Sequence, residues 1–269
     1  MKLEWIDSHV HLQDEVFAAD LDEVINHARQ SGVQWMVCNG TSQTDWPMIC
    51  KLAEKYPAIL PSFGLHPWYV KTRTGDWFDQ LESFLIRNHS GVGEVGLDRS
   101  IDDPDESTQE KIFRRQLDLA VKLNRPVTVH CVRAWGWLMD ILKSQRTLPT
   151  KILLHAYSGP AELIKPLIKF DAYFTFGASI FDPRREKARC ALRAVPMDRL
   201  LLETGSPDVL PSEFYPVVES KIMENGKCRN EPANLPLLAQ KTAEFLGCSI
   251  RQLAEQTTTN AWTFWKNVE

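Results

Sequence analysis

The sequence predicts an α/β protein, a single (β/α)8 TIM barrel spanning residues 1–269. Eight short β-rich apolar runs carry the expectation, beginning near Trp5, Gln34, Ile59, Val92, Pro126, Ile152, Ala172 and Arg199. They recur at roughly 20–35 residues, the length of a βα unit. Helix-like stretches lie between them, and no Gly/Ser-rich linker or charge block divides the chain. A doubly wound sheet is the runner-up.

Taken in order, WIDSHVHL opens the first strand and Asp20–Ser31 is the first helix. Trp46–Lys55 and Phe78–Asn88 follow the second and third strands. Gln109–Leu123 shows the clearest helical period, with Ile112, Leu117, Leu119, Ala120 and Leu123 on one face. Trp135–Gln145 succeeds the fifth strand. The stretch Ser206–Pro236, rich in Pro and Asn, reads as a long loop after the eighth strand. It leads into helix Leu237–Leu246, and Ser249–Lys266 reads as a last helix packed outside the barrel.

Composition bounds the function. A 269-residue chain that is 43% hydrophobic buries a sizeable core without disulfides or metal, which excludes disorder and stapled miniproteins. A net charge of −4 and a pI near 6.0 give no support for non-specific nucleic-acid binding, so a phosphate substrate must be held locally. Six cysteines without a CxxC pair suggest reduced, packed thiols. The opening MKLEWIDSHVHL has acids and histidines where a signal peptide has an apolar region, and no run of 18 apolar residues occurs. A cytoplasmic monomer with no membrane association is expected. No GxSxG frame surrounds Ser158 or Ser206, and no Walker or GxGxxG loop is present.

Five of the seven histidines, His9, His11, His66, His130 and His155, stand at or just after predicted strand ends; His27 and His89 fall on helix-like segments. In a barrel all strands end on one face, where active sites are built. Period-two spacing puts Asp7, His9 and His11 on one face of the first strand, the barrel interior. An isolated HxH is more often a pair of hydrogen-bonded core histidines. Here Glu94, set between glycines in an apolar run, and the strand-closing His130 and His155 shift the balance to a metal site.

The segments WIDSHVHL, SFGLHPWY, GVGEVGLD, PVTVHCVRA, ILLHAYSG, LLLETGSPD, NEPANL and TTTNAWTFW resemble, in order and spacing, the motifs of the TatD family of metal-dependent deoxyribonucleases and related hydrolases. The resemblance spans Asp7 to Phe264. It implies an amidohydrolase-type barrel that hydrolyses phosphodiesters, commonly in DNA, with one or two divalent cations. By motif position, His9 and His11 would bind the first metal, Glu94 would bridge, and His130 and His155 would bind the second. His66, in the block Gly64–Pro67, would line the site.

One residue departs from the pattern. The family's eighth-strand Leu-Glu-Thr-Asp, whose Asp is a metal ligand and the base for the attacking water, reads Leu202, Glu203, Thr204, Gly205 here. Glu203 and Asp208 are near, yet each occurs in family members that keep the Asp. Three readings follow. Asp208, or water activated by metal alone, takes the missing role; hydrolysis is lost and binding kept; or a one-base Asp-to-Gly codon change has altered the site in this chain. Glu94 and Asp208 are the catalytic candidates.

An imidazole-rich ligand set suits Zn2+, Mn2+, Co2+ or Ni2+ better than Mg2+, and the identity stays open. Asp7, Asp98 and Glu203 are candidates to orient the histidines, with strand-end capping or surface ion pairs as the competing role. Trp68 and Tyr69 should project at the rim, where nucleobases stack. Arg133 and Arg99 stand on strand-end loops within reach of a phosphate, against plain ion pairs. Trp135 and Trp137 read as packing residues. The leading expectation is a hydrolase of single-stranded or 3′-ended DNA or of a small phosphodiester. The alternatives are a metal hydrolase of a small amide, lactone or ester, and a silent metal- or nucleotide-binding homologue.

Overall fold

The computed structural model describes residues 3–207, 221–223, 226 and 228–266. Its seven-stranded sheet is parallel throughout and runs in sequence order: β1 (Trp5–Val10), β2 (Val33–Asn39), β3 (Ile59–Phe63), β4 (Gly91–Asp98), β5 (Val127–Val132), β6 (Ile152–Leu154) and β7 (Ala172–Phe174). The eighth position is an extended stretch, not a regular strand. Leu200 bridges to Phe174, and Ser206 bridges to Val10. Leu201 N–H donates to the Phe174 carbonyl at 2.9 Å and Ser8 N–H to the Leu202 carbonyl at 2.9 Å, so 200–206 closes the curled sheet onto its first strand.

The helices are α1 (Leu21–Ser31), α2 (Trp46–Lys55), α3 (Trp77–Arg87), α4 (Glu106–Leu123), α5 (Trp135–Ser144), α6 (Ile164–Ile168), α7 (Glu186–Ala194), α8 (Leu235–Leu246) and α9 (Ile250–Trp265). Each amphipathic helix buries its apolar stripe against the outer face of the sheet, as Ile112, Phe113, Leu117 and Ala120 do on α4. A left-handed Asn124 ends α4, and Gly32 and Gly247 end α1 and α8 in the same conformation. His89 lies just beyond α3 and is exposed, rather than on a helix, because Asn88 is already extended.

A second apolar cluster fills the end of the barrel opposite the site. Ile6, Val37, Leu153, Tyr173 and Leu201 meet Ala261, Phe264 and Trp265 of α9 there. Trp265 packs so close to β4 that a Cβ on Gly91 would come within 2.6 Å of its ring. Among the described residues, no helix is long and apolar enough to cross a membrane. All six cysteines are free; Cys38 and Cys131 are buried, whereas Cys190 and Cys228 are exposed, so packing does not extend to every thiol.

The predicted loop after the eighth strand holds a one-turn 3₁₀ helix, Pro232–Asn234, and Asp208 lies outside the described residues. Its far end is latched down. Fully buried Arg229 donates to Asp20 Oδ1 and Oδ2 at 2.9 and 2.7 Å, to Glu231 Oε1 at 2.6 Å and to the Val16 carbonyl at 2.7 Å. Lys221 adds a contact to Asp20 at 2.6 Å.

Candidate metal centre

Glu94 stands at the middle of the carboxyl-terminal mouth of the barrel, 3% exposed. β4 brings it there by an unusual approach: Gly96 (φ 152°) sits where any Cβ would fall 1.9 Å from the His130 carbonyl oxygen, so only glycine lets β4 lie this close to β5. Five imidazoles surround the carboxylate. His9 Nε2 and His11 Nε2 lie 3.2 and 3.4 Å from Oε2 and 3.1 Å from each other. His130 Nδ1 and His155 Nε2 lie 2.9 and 2.7 Å from Oε1 and 3.3 Å from each other. His66 Nε2 is 3.3 Å from Oε1. The rings of His9 and His155 stack at 4.0 Å and tie the two pairs together.

Outer contacts decide which ring nitrogens carry protons. His11 Nδ1 lies 2.9 Å from the Asn39 carbonyl, an acceptor only, so the proton is assigned to Nδ1 and the Nε2 lone pair faces Glu94. His130 Nε2 meets the Asp98 carboxylate at 3.0 Å, which assigns that nitrogen a proton and leaves Nδ1, 2.9 Å from Glu94, as the nitrogen that would give up its proton to a cation. His66 is the opposite case. Its Nδ1 accepts the Trp68 backbone N–H at 3.2 Å, so Nε2 bears the proton and donates to Glu94. Two imidazole nitrogens converge on each oxygen of one carboxylate, a donor set that fits a cation at each side of Glu94. His66 fits a hydrogen-bond donor and not a ligand.

Electrostatics follow from burial and crowding. Burial penalises the Glu94 carboxylate, but the imidazoles of His155, His66 and His9 outweigh it and hold Glu94 well below the usual range. Burial pushes His66 down to about 4 and His9 well below its ordinary value. For His130 burial is outweighed by hydrogen bonds to Asp98 and Glu94, which push it up to about 9. Burial raises Glu203, whose Oε2 accepts from Thr175 Oγ1 at 2.5 Å and lies 3.9 Å from His155 Nδ1.

Asp7 departs from the expected interior face. A bulge in β1 between Asp7 and Val10 breaks strict alternation. Ile6 therefore points to the inner cluster, and Asp7 accepts instead from Thr204 N–H at 2.9 Å and Thr204 Oγ1 at 2.5 Å. Buried away from water, Asp7 is pushed up to about 7. It ties β1 to the closing segment rather than orienting a histidine directly.

The mouth is a cavity of about 750 Å³. Trp68 and Tyr69 line one side and are 59% and 37% exposed; His66, Glu203, Gly205 and Pro207 also face it. Gly205 has φ 65°, and its N–H donates to the His9 carbonyl at 3.0 Å. Arg133, exposed on the turn after β5 at φ 54°, is not among the lining residues. Arg99 forms a two-point ion pair with Glu106 at 2.8 and 3.0 Å. Trp135 packs on Tyr157, and Trp137 donates to Glu110. Gln13, Thr41, Ser42 and Asp45 also line the cavity and have no counterpart among the sequence expectations. Asp45 accepts from Thr41 N–H and Oγ1 at 2.8 and 2.7 Å, and the spacing of GTSQTD just before α2 is its one sequence signal.

A family model described as TatD related DNase matches residues 6–266. The chain belongs to this family. Among its TatD relatives, the 3′-5′ ssDNA/RNA exonuclease TatD of Erwinia tasmaniensis is 32% identical over 260 residues, 95% of this chain and 97% of that protein. The uncharacterized metal-dependent hydrolase YabD of Bacillus subtilis is 29% identical over 258 residues, covering 95% and 96%. Among solved structures, the TatD homologue YjjV of Escherichia coli K12 superposes with a TM-score of 0.89 at 27% identity over 99% of each chain. The chain is thus a TatD-family metal-dependent hydrolase on a TIM-barrel fold.

Proposed function

We propose that this chain hydrolyses phosphodiester bonds in single-stranded or 3′-ended DNA, with two divalent cations held by His9 and His11, by His130 and His155, and by Glu94 between them. The observation that carries it is the division of Glu94, one oxygen facing each imidazole pair. When bound, such cations neutralise phosphoryl charge and activate water. His66 Nε2–H, donated to Glu94, would keep the carboxylate in place between the cations. Trp68 and Tyr69 offer exposed faces for a terminal base. Asp98 holds the outer nitrogen of His130, and Glu203 lies 3.9 Å from that of His155. Two carboxylates flank Gly205 in the chain, Glu203 and Asp208, and Asp208 would take the proton of the attacking water. The unit acts as one barrel, as a cytoplasmic monomer.

Purified protein loaded with Mn2+, Zn2+, Co2+, Ni2+ or Mg2+ should cleave a 3′-labelled oligonucleotide, with turnover lost on chelation. Absence of cleavage with every metal overturns this reading. Asp208→Asn should lower kcat far more than Glu203→Gln lowers it; the reverse order would give the base role to Glu203. Gly205 favours a second reading, binding without turnover. An idle parent that gains cleavage on Gly205→Asp would establish it.

A further inference from the structure

Trp68 is the most exposed large aromatic at the mouth, yet its ring is not free to turn. Its indole Nε1–H donates to Asp98 Oδ2 at 2.8 Å, the same oxygen that meets His130 Nε2 at 3.0 Å. The other carboxylate oxygen, Oδ1, takes the Ser100 N–H and Oγ–H, both at 2.6 Å. The backbone of Asp98 is fixed too: its N–H donates to Gln109 Oε1 at 2.8 Å and its carbonyl accepts from Gln109 Nε2 at 2.9 Å. Asp98 is therefore a rigid, fully buried post with every oxygen spoken for.

We propose that Asp98 is a positioning residue with two clients, which sets the Trp68 stacking platform at a fixed distance from the cation held by His130. The inference rests on the nuclease reading for the platform's use, but the linkage itself does not. A free exposed Trp samples several rotamers and loses that freedom when a base stacks on it. One held by a charge-assisted hydrogen bond is preorganised, and the stacking contact is realised without that loss. The same carboxylate fixes His130, so the base next to the scissile bond and the phosphate are placed by one group.

Three variants and one spectroscopic probe test this. In protein labelled at indole nitrogen, the Trp68 Nε1–H signal is assigned by its disappearance in Trp68→Phe. It should shift on Asp98→Asn, and again when Zn2+ is titrated into the parent, although Trp68 touches no cation. Trp68→Phe keeps a ring but loses the N–H: KM for a short oligonucleotide should rise about 3–10-fold, with kcat and Zn2+ affinity within twofold. Trp68→Leu should raise KM further. Asp98→Asn should both raise KM and weaken Zn2+ by roughly 10–100-fold, the usual cost of an outer partner. An indole signal blind to both Asp98→Asn and Zn2+ overturns the linkage, and a Trp68→Phe enzyme with parental KM overturns the platform it is proposed to set. A responsive signal in a protein that cleaves no oligonucleotide keeps the linkage and sinks the nuclease reading instead.

Discussion

The two sides of Glu94 look alike from the inside and differ behind. Each presents two imidazoles to one carboxylate oxygen. On the β5–β6 side, His130 is backed by the Asp98 carboxylate at 3.0 Å, and His155 Nδ1, without a hydrogen-bond partner among the described residues, lies 3.9 Å from Glu203. On the β1 side, His11 is backed by a neutral carbonyl, Asn39, and His9 Nδ1 is buried with no hydrogen-bond partner among the described residues. Gly205, bonded to the His9 carbonyl, lies on this same side and brings no carboxylate. Carboxylate backing raises the basicity of a ligating imidazole and fixes its orientation. The lesson is that ligand type alone does not set the strength of a cation site; the β5–β6 side should bind first and more tightly.

Removing the shared group breaks the comparison altogether. Glu94→Gln places an amide among inward lone pairs, and both cations should be lost, with turnover falling more than the roughly 100-fold that an outer partner costs. Metal content after dialysis, measured by mass spectrometry, checks it; retained stoichiometry would mean Glu94 is no bridge. Next in size, His130→Asn and His11→Asn should each reduce a two-step Mn2+ titration to one step. The surviving step should be the weaker one in His130→Asn and the tighter one in His11→Asn. Gly205→Asp then narrows the difference, since Asp tolerates the left-handed backbone found there better than most residues. Calorimetry should show the weaker step tightened about tenfold, consistent with one added charged ligand, and turnover increased.

The smallest effect on the centre is expected from the latch. Hydrogen bonding by Arg229, outweighing burial and aided by Lys221, holds Asp20 at about 2. A depressed carboxylate stabilises the fold above its unfolded value near 4 and loses that contribution as pH falls towards 2. Asp20→Asn should remove up to about 2 kcal/mol at neutral pH and flatten the acid slope between pH 4 and 2, read by urea unfolding. Cation affinity on both sides of Glu94 should stay parental.

Much of this was legible in the residues. Strand-closing histidines in apolar runs placed the centre, because a parallel barrel gathers all strand ends on one face whatever their separation in sequence. α2 has the limits its pattern predicts, Trp46–Lys55. Contacts that depend on local backbone irregularity were not legible. The β1 bulge sends Asp7 to Thr204 against period-two expectation. The tautomers of His11 and His66 are set by a carbonyl and an amide of the backbone, which no side-chain pattern encodes. The eighth strand was foreseen but is realised by isolated bridges, and the polar wall from Gln13 to Asp45 comes from loops whose course only packing fixes.

The floor of the barrel has a consequence for truncation. Ile6 of the first strand shares its apolar cluster with Phe264 and Trp265 of the last described helix. Thr258 of that helix also bonds the Glu4 carbonyl. Loss of α9 would leave that apolar end wet, so such a shortened chain should aggregate rather than persist as a smaller enzyme.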